Sequence, residues 1–290
     1  MIRVAGHRRL GPGTGDTLDT PTIPVVAGGV ELFAWNPRRP VVRGPLGKLI
    51  QRPVNNFGDL LGPIVVTRLL GPKNTDRRRA MRPVRLFSVG SVLHYAADGD
   101  VVWGSGVNGK VPIDRYQFHS LDVRAVRGPL TRDFLRRRGV EVPEIYGDPA
   151  LLLPDLIPEL RRWASDPAFD VTYVPNLNDF RTRRQRNALD PRSPLATCLE
   201  RIARSRLVVG SSLHALIVAE ALGIPARGIR SSVEHELKYA DYYLGTGRGN
   251  FALAGSVDEA IEMGGEPPLD WSASDLLRAF PYDLWSVPGE

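Results

Sequence analysis

One segment, residues 207–225, constrains the fold more than any other because it predicts a complete strand, turn and helix. The apolar run 207–209 predicts a buried strand, residues 210–212 predict a turn, and 213–222 predict an apolar helix that ends before Pro225. A buried strand that leads directly into a helix is typical of α/β folds.

A single histidine falls at the start of this helix. Ser211 or Ser212 is the expected N-cap, so His214 lies in the first turn, where backbone N–H groups lack intrahelical partners and the helix dipole is positive. A phosphate or carboxylate binds readily at such a position. A lone histidine that only packs is the competing interpretation.

Short apolar strands alternate with helical patterns along the rest of the chain. Pro129 begins and Gly139 ends a predicted helix over residues 129–138. The alternation predicts an α/β fold with mostly parallel sheets, and the length of 290 residues favours two domains. The predicted strands are 84–89, 100–103, 123–126, 140–146 and 171–174.

Composition indicates a compartment and a ligand charge. The formal net charge is +6, and 34 of the 38 basic residues are arginine because lysine stands only at positions 48, 73, 110 and 238. The basic excess favours anionic ligands. Cys198 is the sole cysteine, so no intrachain disulfide is expected, and the first residues lack the apolar core of a signal peptide. We therefore expect a cytoplasmic protein, with a peripheral position at the inner face of the membrane left open.

Several other motifs predict little. Residues 104–109 match G-x-G-x-x-G after a strand, but Lys110 opens a segment with proline where a dinucleotide site needs a helix, so NAD is not expected. The five histidines are dispersed, and no metal site is predicted. The arginine clusters 77–79 and 181–186 lack interleaved aromatics, so no nucleic-acid partner is expected. The second cluster could still reach a substrate in a cleft between domains.

An ordered set of short motifs resembles the polysaccharide pyruvyl transferase family. Residues 210–225 resemble its C-terminal S-x-L-H-G/A element with a helix ending in G-I-P. The other matches, in chain order, are N-N-F-G-D at 55–59, the glycine turn at 102–106, R-G-P-L-T at 127–131, G-D-P-A-L at 147–151 and D-Y-Y at 241–243. Together they cover roughly residues 30–248.

The resemblance implies a fold and a reaction. It implies two Rossmann-like domains resembling the GT-B glycosyltransferase architecture. We expect an N-terminal, acceptor-side domain over 1–155, with about 27 irregular residues first, and a C-terminal, donor-side domain over 156–290 whose tail docks back. The implied reaction is transfer of pyruvate from phosphoenolpyruvate onto two hydroxyls of a sugar in a polysaccharide or glycolipid precursor, with release of phosphate. Phosphoenolpyruvate is the donor substrate, no cofactor is expected, and the acceptor is a sugar or lipid-linked oligosaccharide.

The resemblance also implies site residues. His214 is expected to supply the proton or to contact the departing phosphate, and Asp148 and Asp59 are candidates to accept a proton or to serve only as caps. The expected donor-binding residues are Arg127, Ser211, Ser212, Leu213, Arg124 and Arg230. The expected acceptor or cleft residues are Asn56, Gly58, Gly104, Ser105, Gly106 and Asn176. Asp179 is a further carboxylate candidate, while Tyr242 and Tyr243 could stack on a sugar but more often pack at such spacing.

Two departures from the family pattern keep alternatives open. Ser212 stands where many members have arginine, and Asn176 stands where some relatives have histidine in a P-H-x-x-D element. A GT-B-type nucleotide-sugar glycosyltransferase and a non-catalytic glycan-binding member therefore stay open beside pyruvyl transfer. Binding of a sugar nucleotide would favour the first, and sugar binding without phosphate release would favour the second.

Overall fold

The computed structural model describes residues 18–40, 50–74, 84–182 and 187–285. The described strands are β1 Val25–Ala27, β2 Val30–Leu32, β3 Arg38–Pro40, β4 Gln51–Pro53, β5 Val84–Phe87, β6 Val101–Trp103, β7 Asp122–Ala125, β8 Phe169–Tyr173, β9 Ser205–Gly210 and β10 Ala226–Gly228. The α-helices are α1 Leu61–Asn74, α2 Pro129–Arg136, α3 Leu153–Leu156, α4 Pro158–Ala164, α5 Leu177–Thr182, α6 Leu195–Ala203, α7 Leu213–Ala221, α8 Leu237–Gly245, α9 Val257–Met263 and α10 Ser274–Arg278.

The strands form two largely parallel sheets and one hairpin. The first sheet has the order β1-β2-β5-β6-β7, and only its β1–β2 pair is antiparallel. The second sheet has the order β10-β9-β8 and is parallel throughout. Strand β6 is buried at every position, as expected for a parallel strand covered on both faces. The predicted α/β class with mostly parallel sheets is confirmed. The exposed strands β3 and β4 form a separate antiparallel pair.

One predicted strand was wrong. Residues 140–146 run without sheet pairing except for a single parallel bridge between Tyr146 and Val126. Pro143 has no N–H to donate to a ladder, and the carbonyl of Val142 is taken by Arg132 Nε at 3.2 Å. The segment therefore lies beside β7 without extending the sheet.

The apolar core is continuous between the two sheets. The turn of residues 149–152, which follows the first sheet, is buried and packs on α7 of the second sheet. Helix α7 is buried on nearly every side, because its sequence is apolar all round rather than on one stripe. A helix of this kind must be surrounded by other elements, which fixes its first turn in the interior of the molecule.

The C-terminal segment packs against the first sheet through tryptophans. The indole N–H of Trp285 donates to Ala27 O at 2.9 Å, and that of Trp103 donates to Leu276 O at 2.8 Å. The N–H of Trp271 donates to Tyr146 O at 3.1 Å. Strand β1 and the buried Leu18 lie in the same core, so the described end of the N-terminal lead packs on the body, although residues 18–24 form no helix or strand.

None of the helices in the ranges described is both long and apolar enough to span a bilayer.

Candidate functional site

The turn before α7 is fixed by a close backbone approach to the end of β8. A Cβ built on Gly210 would lie 2.0 Å from the carbonyl oxygen of Val174, so a larger residue cannot replace this glycine without moving the backbone. Ser212 N donates to the same carbonyl at 3.1 Å and holds the N-cap position, but its hydroxyl makes no capping hydrogen bond. The first-turn N–H groups beside His214 are therefore not capped by a side chain and can receive an anion.

His214 faces Asp148 across a short gap. The distance from His214 Nε2 to Asp148 Oδ2 is 4.0 Å. Both atoms are buried, and neither has a hydrogen-bond partner in the part of the chain that the structure describes. The second oxygen, Asp148 Oδ1, accepts from Ala150 N at 3.0 Å and caps the turn of residues 149–152. Asp148 thus serves as a cap and also presents an unpaired oxygen to the imidazole.

The opposite edge of the imidazole touches the N-terminal half of the chain. A Cβ on Gly58 would lie 2.2 Å from His214 Nδ1, so the ring rests directly on this glycine. The next residue, Asp59, accepts a hydrogen bond from Asn56 Nδ2 at 2.6 Å. The motifs at 55–59 and 210–214 therefore meet at His214, although they are far apart in sequence.

Burial changes the protonation of all three groups. It lowers the pKa of His214 to about 3, and the charges of Arg127 and Lys238 act in the same direction. Burial raises the pKa of Asp148 to about 6 and that of Asp59 to about 6, against the hydrogen bonds that these carboxylates accept. At neutral pH the imidazole is uncharged, and the two carboxyl groups titrate only slightly below neutrality.

A cavity of about 380 Å³ opens in front of His214. This volume is within the usual range for small-molecule sites, roughly 300–1,000 Å³. Residues of both halves of the chain line it. The expected site residues among them are Asn56, Asp59, Asn176, Ser212, Leu213 and His214.

Two lysines enter the same cavity and share one carboxylate. Lys110 forms an ion pair with Glu234 Oε1, and Lys238 Nζ lies 3.6 Å from Glu234 Oε2. Asn178 Nδ2 also donates to Glu234, at 2.8 Å. Burial lowers the pKa of Lys238 despite the attraction of Glu234, and Lys110 and Arg127 lower it further. One carboxylate therefore only partly neutralises two ammonium groups.

Two arginines add to the positive charge. Arg39 and Arg181 line the cavity with exposed side chains, and within the described ranges neither has an ion-pair partner. Against these four cations the cavity wall carries the carboxyl groups of Asp59 and Glu234. The cavity is therefore suited to a small anion with more than one negative charge.

Asp179 organises the floor of the site rather than opening into the cavity. Its Oδ2 accepts from Asn176 Nδ2 and from Ser211 Oγ, each at 2.6 Å. Ser211 Oγ also accepts from the backbone N–H of Asn176 at 3.0 Å. The carbonyl of Ser211 is held by the hydroxyl of Tyr239 at 2.7 Å. This network couples the end of β8 to the start of α7, so Ser211 positions the helix.

The expected donor-binding role of Arg127 does not agree with its surroundings. Its side chain is fully buried, as is that of Asp241, and the two form an ion pair at 3.1 Å. The guanidinium also donates to Ser91 Oγ at 2.6 Å and to Val107 O at 3.2 Å. A Cβ on Gly106 would lie 2.3 Å from its Cζ. Arg127 therefore lies behind the cavity wall and supports Ser91, which lines the cavity.

Gly104 and Ser105 also lie behind the wall. Gly104 has a positive φ of 92°, and a Cβ there would be 2.3 Å from Pro149 Cδ. The hydroxyl of Ser105 is buried and donates to Gly90 O at 2.9 Å. The glycine turn after β6 thus allows close packing of the backbone and does not line the cavity.

Two other arginines lie outside the cavity. Arg124 pairs with Asp122 at 2.5 Å and with Asp283 at 2.8 Å, and Arg230 pairs with Glu236 at 2.7 Å. Neither lines the cavity, because β7 directs Arg124 toward the C-terminal segment and the guanidinium of Arg230 is turned to Glu236. Residues 77–79 and 183–186 of the two arginine clusters lie outside the described residues.

The D-Y-Y element serves packing. Tyr242 and Tyr243 are fully buried, which excludes stacking on a sugar. The hydroxyl of Tyr242 pairs with Glu220 Oε2 at 2.5 Å, and the same oxygen accepts from Arg248 at 2.8 Å. The preceding Asp241 is the partner of Arg127.

Lys110 and Lys238 were not among the expected site residues, although the sequence carried a signal for them. Lysine is rare in this chain, and two of its four positions meet at Glu234. Trp35, Tyr95 and His94 also line the cavity and had no motif to mark them.

Comparisons with known proteins confirm the family resemblance. The family model described as polysaccharide pyruvyl transferase matches residues 72–232, more than half of the chain. The succinoglycan biosynthesis protein ExoV of Rhizobium meliloti (strain 1021) is 31% identical over 191 residues, which cover 61% of this chain and 57% of that protein. A functionally uncharacterised protein from Klebsiella pneumoniae subsp. pneumoniae NTUH-K2044 superposes with a TM-score of 0.40 at 13% identity, over 69% of this chain and 89% of that one. The extent of the family match shows that this chain belongs to the polysaccharide pyruvyl transferase family.

Proposed function

We propose that the protein transfers pyruvate from phosphoenolpyruvate onto two hydroxyls of a sugar and releases phosphate. The observation that carries this proposal is the position of His214 at the uncapped start of α7, in the wall of a cavity with four cationic side chains. Phosphoenolpyruvate is a small donor with a phosphate and a carboxylate. It therefore matches both the charge and the volume of this cavity.

Lys238 is the proposed main ligand of the donor. Its side chain is 14% exposed, and its nearest carboxylate, that of Glu234, is 3.6 Å away and shared with Lys110. An incoming phosphate would complete the neutralisation of this ammonium group. The N–H groups at the start of α7 would bind the same anion from the other side. Lys238 and these N–H groups take the donor-binding role that was expected for Arg127, because the N–H groups of the Arg127 guanidinium already bind other groups of the protein.

The reaction requires one acid and one base in its first step. A proton is added to the methylene carbon of the donor, and the resulting cationic carbon is attacked by a sugar hydroxyl, which loses its proton. The C–O bond to phosphate then breaks, phosphate leaves with its bonding pair, and the second hydroxyl closes the ketal as it passes its proton to the departing phosphate. We assign Asp59 as the acid, because burial raises the pKa of this cavity-lining carboxyl to about 6. We assign His214 as the base, because its imidazole is uncharged at neutral pH and bound phosphate would raise its pKa, which is about 3 in the free protein.

Asp148 completes this assignment. A positive charge on the His214 imidazole would be stabilised by the unpaired Asp148 Oδ2, which lies 4.0 Å from Nε2. Bound phosphate would favour the same charged imidazole. Asp148 is thus a positioning residue that stabilises the imidazolium.

The proposed architecture has two Rossmann-like domains of GT-B type over 1–155 and 156–290. Two observations support it: each range contains one of the two parallel sheets, and the cavity is lined from both ranges. Asn56 and Asp59 come from the acceptor-side range, while His214 and Lys238 come from the donor-side range.

The proposal is tested by incubating the protein with phosphoenolpyruvate and depyruvylated exopolysaccharide fragments, succinoglycan fragments included. We expect phosphate and ketal, measured by a colorimetric phosphate assay and by the methyl signal in proton NMR, to form in equal amounts. Lys238→Met should raise the KM for the donor roughly tenfold to a hundredfold, the value of a lost charged hydrogen bond. Arg230→Met, which removes an exposed arginine outside the cavity, is the matched control and should leave KM unchanged. Consumption of a sugar nucleotide, or phosphate release without ketal, would refute the proposal.

A further inference from the structure

Two aromatic side chains, His94 and Tyr95, form the outer wall of the cavity and are called the aromatic shelf. Tyr95 is 43% exposed, and its ring stands 4.1 Å from that of His94 and 5.5 Å from that of Phe33. The hydroxyl of Tyr95 accepts a hydrogen bond from Trp35 Nε1 at 3.0 Å. Phe33 in turn stacks on the buried Phe87 at 4.5 Å. The exposed ring of Tyr95 is therefore held in place from below and from the side.

A groove of about 680 Å³ lies on the other side of this shelf. It is lined by exposed polar residues, among them Asp98, Arg115, Gln117 and His119, and by the exposed Ala97. His94 and Tyr95 line both the groove and the cavity. The two spaces thus share one aromatic wall.

The chemistry of this surface matches a carbohydrate chain. A sugar ring has an apolar C–H face, which an exposed and rigid aromatic ring can cover, and a rim of hydroxyls that need hydrogen-bond partners. Gln117 offers an acceptor along the groove, and Arg115 and Gln117 offer donors, whereas Asp98 Oδ1 already accepts from the backbone N–H groups of His119 and Ser120. An apolar peptide or a lipid tail would leave these polar groups desolvated and unpaired, which is costly.

We propose that the groove beyond Tyr95 is an acceptor subsite that binds the sugar units next to the one that is pyruvylated. This inference rests on the proposed function for its orientation, since the reacting sugar occupies the cavity. The neighbouring unit crosses the shelf over Tyr95 and its hydroxyls meet the side chains of the groove. Affinity for acceptors should therefore increase with their length.

The experiment uses Ala97→Trp, because Ala97 is exposed and lines the groove but not the cavity. A tryptophan there should fill the groove without touching the donor site. Ala168→Trp places the same side chain at another exposed alanine, outside both spaces, and is the matched control. Binding of size-sorted, depyruvylated exopolysaccharide fragments is measured by isothermal titration, alongside binding of phosphoenolpyruvate.

In the wild-type protein and the Ala168→Trp control, longer fragments should bind at least tenfold more tightly than the corresponding monosaccharides. Ala97→Trp should lose that gain while its affinity for phosphoenolpyruvate stays unchanged. Affinity that does not depend on length, equal binding of long fragments by Ala97→Trp, or binding of no fragment would overturn the proposal. Failure of the proposed function shows itself separately, as absent binding of phosphoenolpyruvate or absent ketal formation with any acceptor.

Discussion

Replacing Arg127 by methionine should destabilise the protein strongly, and adding Asp241→Asn should restore much of the loss. The carboxylate of Asp241 is fully buried and accepts from Arg127 and from the hydroxyl of Thr131 at 2.6 Å and its N–H at 2.9 Å. Without the guanidinium, two hydrogen bonds remain but the negative charge has no counter-ion. Asparagine removes the charge and still accepts from the Thr131 N–H.

The expected loss of stability in Arg127→Met follows from the complete burial of the Arg127 and Asp241 side chains. Removing one partner of a buried ion pair costs about 3–5 kcal/mol, a large part of the roughly 5–15 kcal/mol that stabilises a typical domain. At about 2–4 °C per kcal/mol for a large domain, Tm should fall by about 6–20 °C. Neutral replacement of both partners is often close to neutral for stability.

Thermal and urea unfolding followed by circular dichroism measures this difference. Arg278→Met is the control, because Arg278 pairs with Asp275 on the surface, where the side chains are 77% and 65% exposed and such pairs contribute about 0–1 kcal/mol. Equal unfolding of Arg127→Met and Arg278→Met, or a double variant less stable than Arg127→Met, would refute the reasoning. The stable double variant should also keep its affinity for phosphoenolpyruvate within a few-fold. A complete loss of binding would make Arg127 a donor ligand after all.

Three further predictions concern His214 and its neighbours. Folding raises the pKa of the Asp59 carboxyl from 3.8 to about 6, so the wild type loses stability as pH rises through that window. Asp59→Asn removes this loss and should therefore stabilise the protein by about 3 kcal/mol at pH 7.5 and by nothing below pH 4. Its turnover should fall about 10²–10⁴-fold, and unchanged turnover would exclude Asp59 as the acid. Between pH 7 and pH 5 the wild type should lose about 2 kcal/mol of stability through His214, because folding lowers the pKa of this group from 6.5 to about 3 and the unfolded chain takes up the proton first. His214→Gln should abolish this loss, and urea titrations at both pH values check it. Gly58→Ala should lower kcat by roughly a hundredfold, because its Cβ would lie 2.2 Å from His214 Nδ1 and the ring must move; wild-type kinetics would contradict the contact.

Local sequence patterns predicted the elements that carry the site. Parallel strands β5 to β9 and helices α2 and α7 agree with the predicted segments to within a few residues, because apolar runs and the flanking glycine and proline residues specify them locally. The segment 140–146 failed because its apolar and β-branched residues outweighed Pro143 in the prediction. In the structure, the missing N–H of that proline had the larger effect.

The partners of charged residues could not be predicted in this way. Asp241 meets Arg127 across 114 positions, and Glu234 meets Lys110 across 124 positions. Nothing in the local sequence around Asp241 or Glu234 indicates which carboxylate is enclosed and which lines the cavity. Packing of α8 against α2 decides that Asp241 is fully enclosed, whereas Glu234 remains at the cavity wall.

This difference in enclosure separates the proposed ligand-binding cation, Lys238, from a structural one, Arg127. Arg127 lies in a family motif, but its donors are satisfied by Asp241, Ser91 and Val107 and its side chain is 0% exposed, so a ligand would have to break existing bonds. Lys238 has only a shared carboxylate at 3.6 Å and opens into the cavity, so a ligand would complete its coordination. A bound anion gains most where the protein has left a charge incompletely paired. By that criterion we propose that the donor site lies at Lys238 and the start of α7, with the arginine of the motif in the wall behind it.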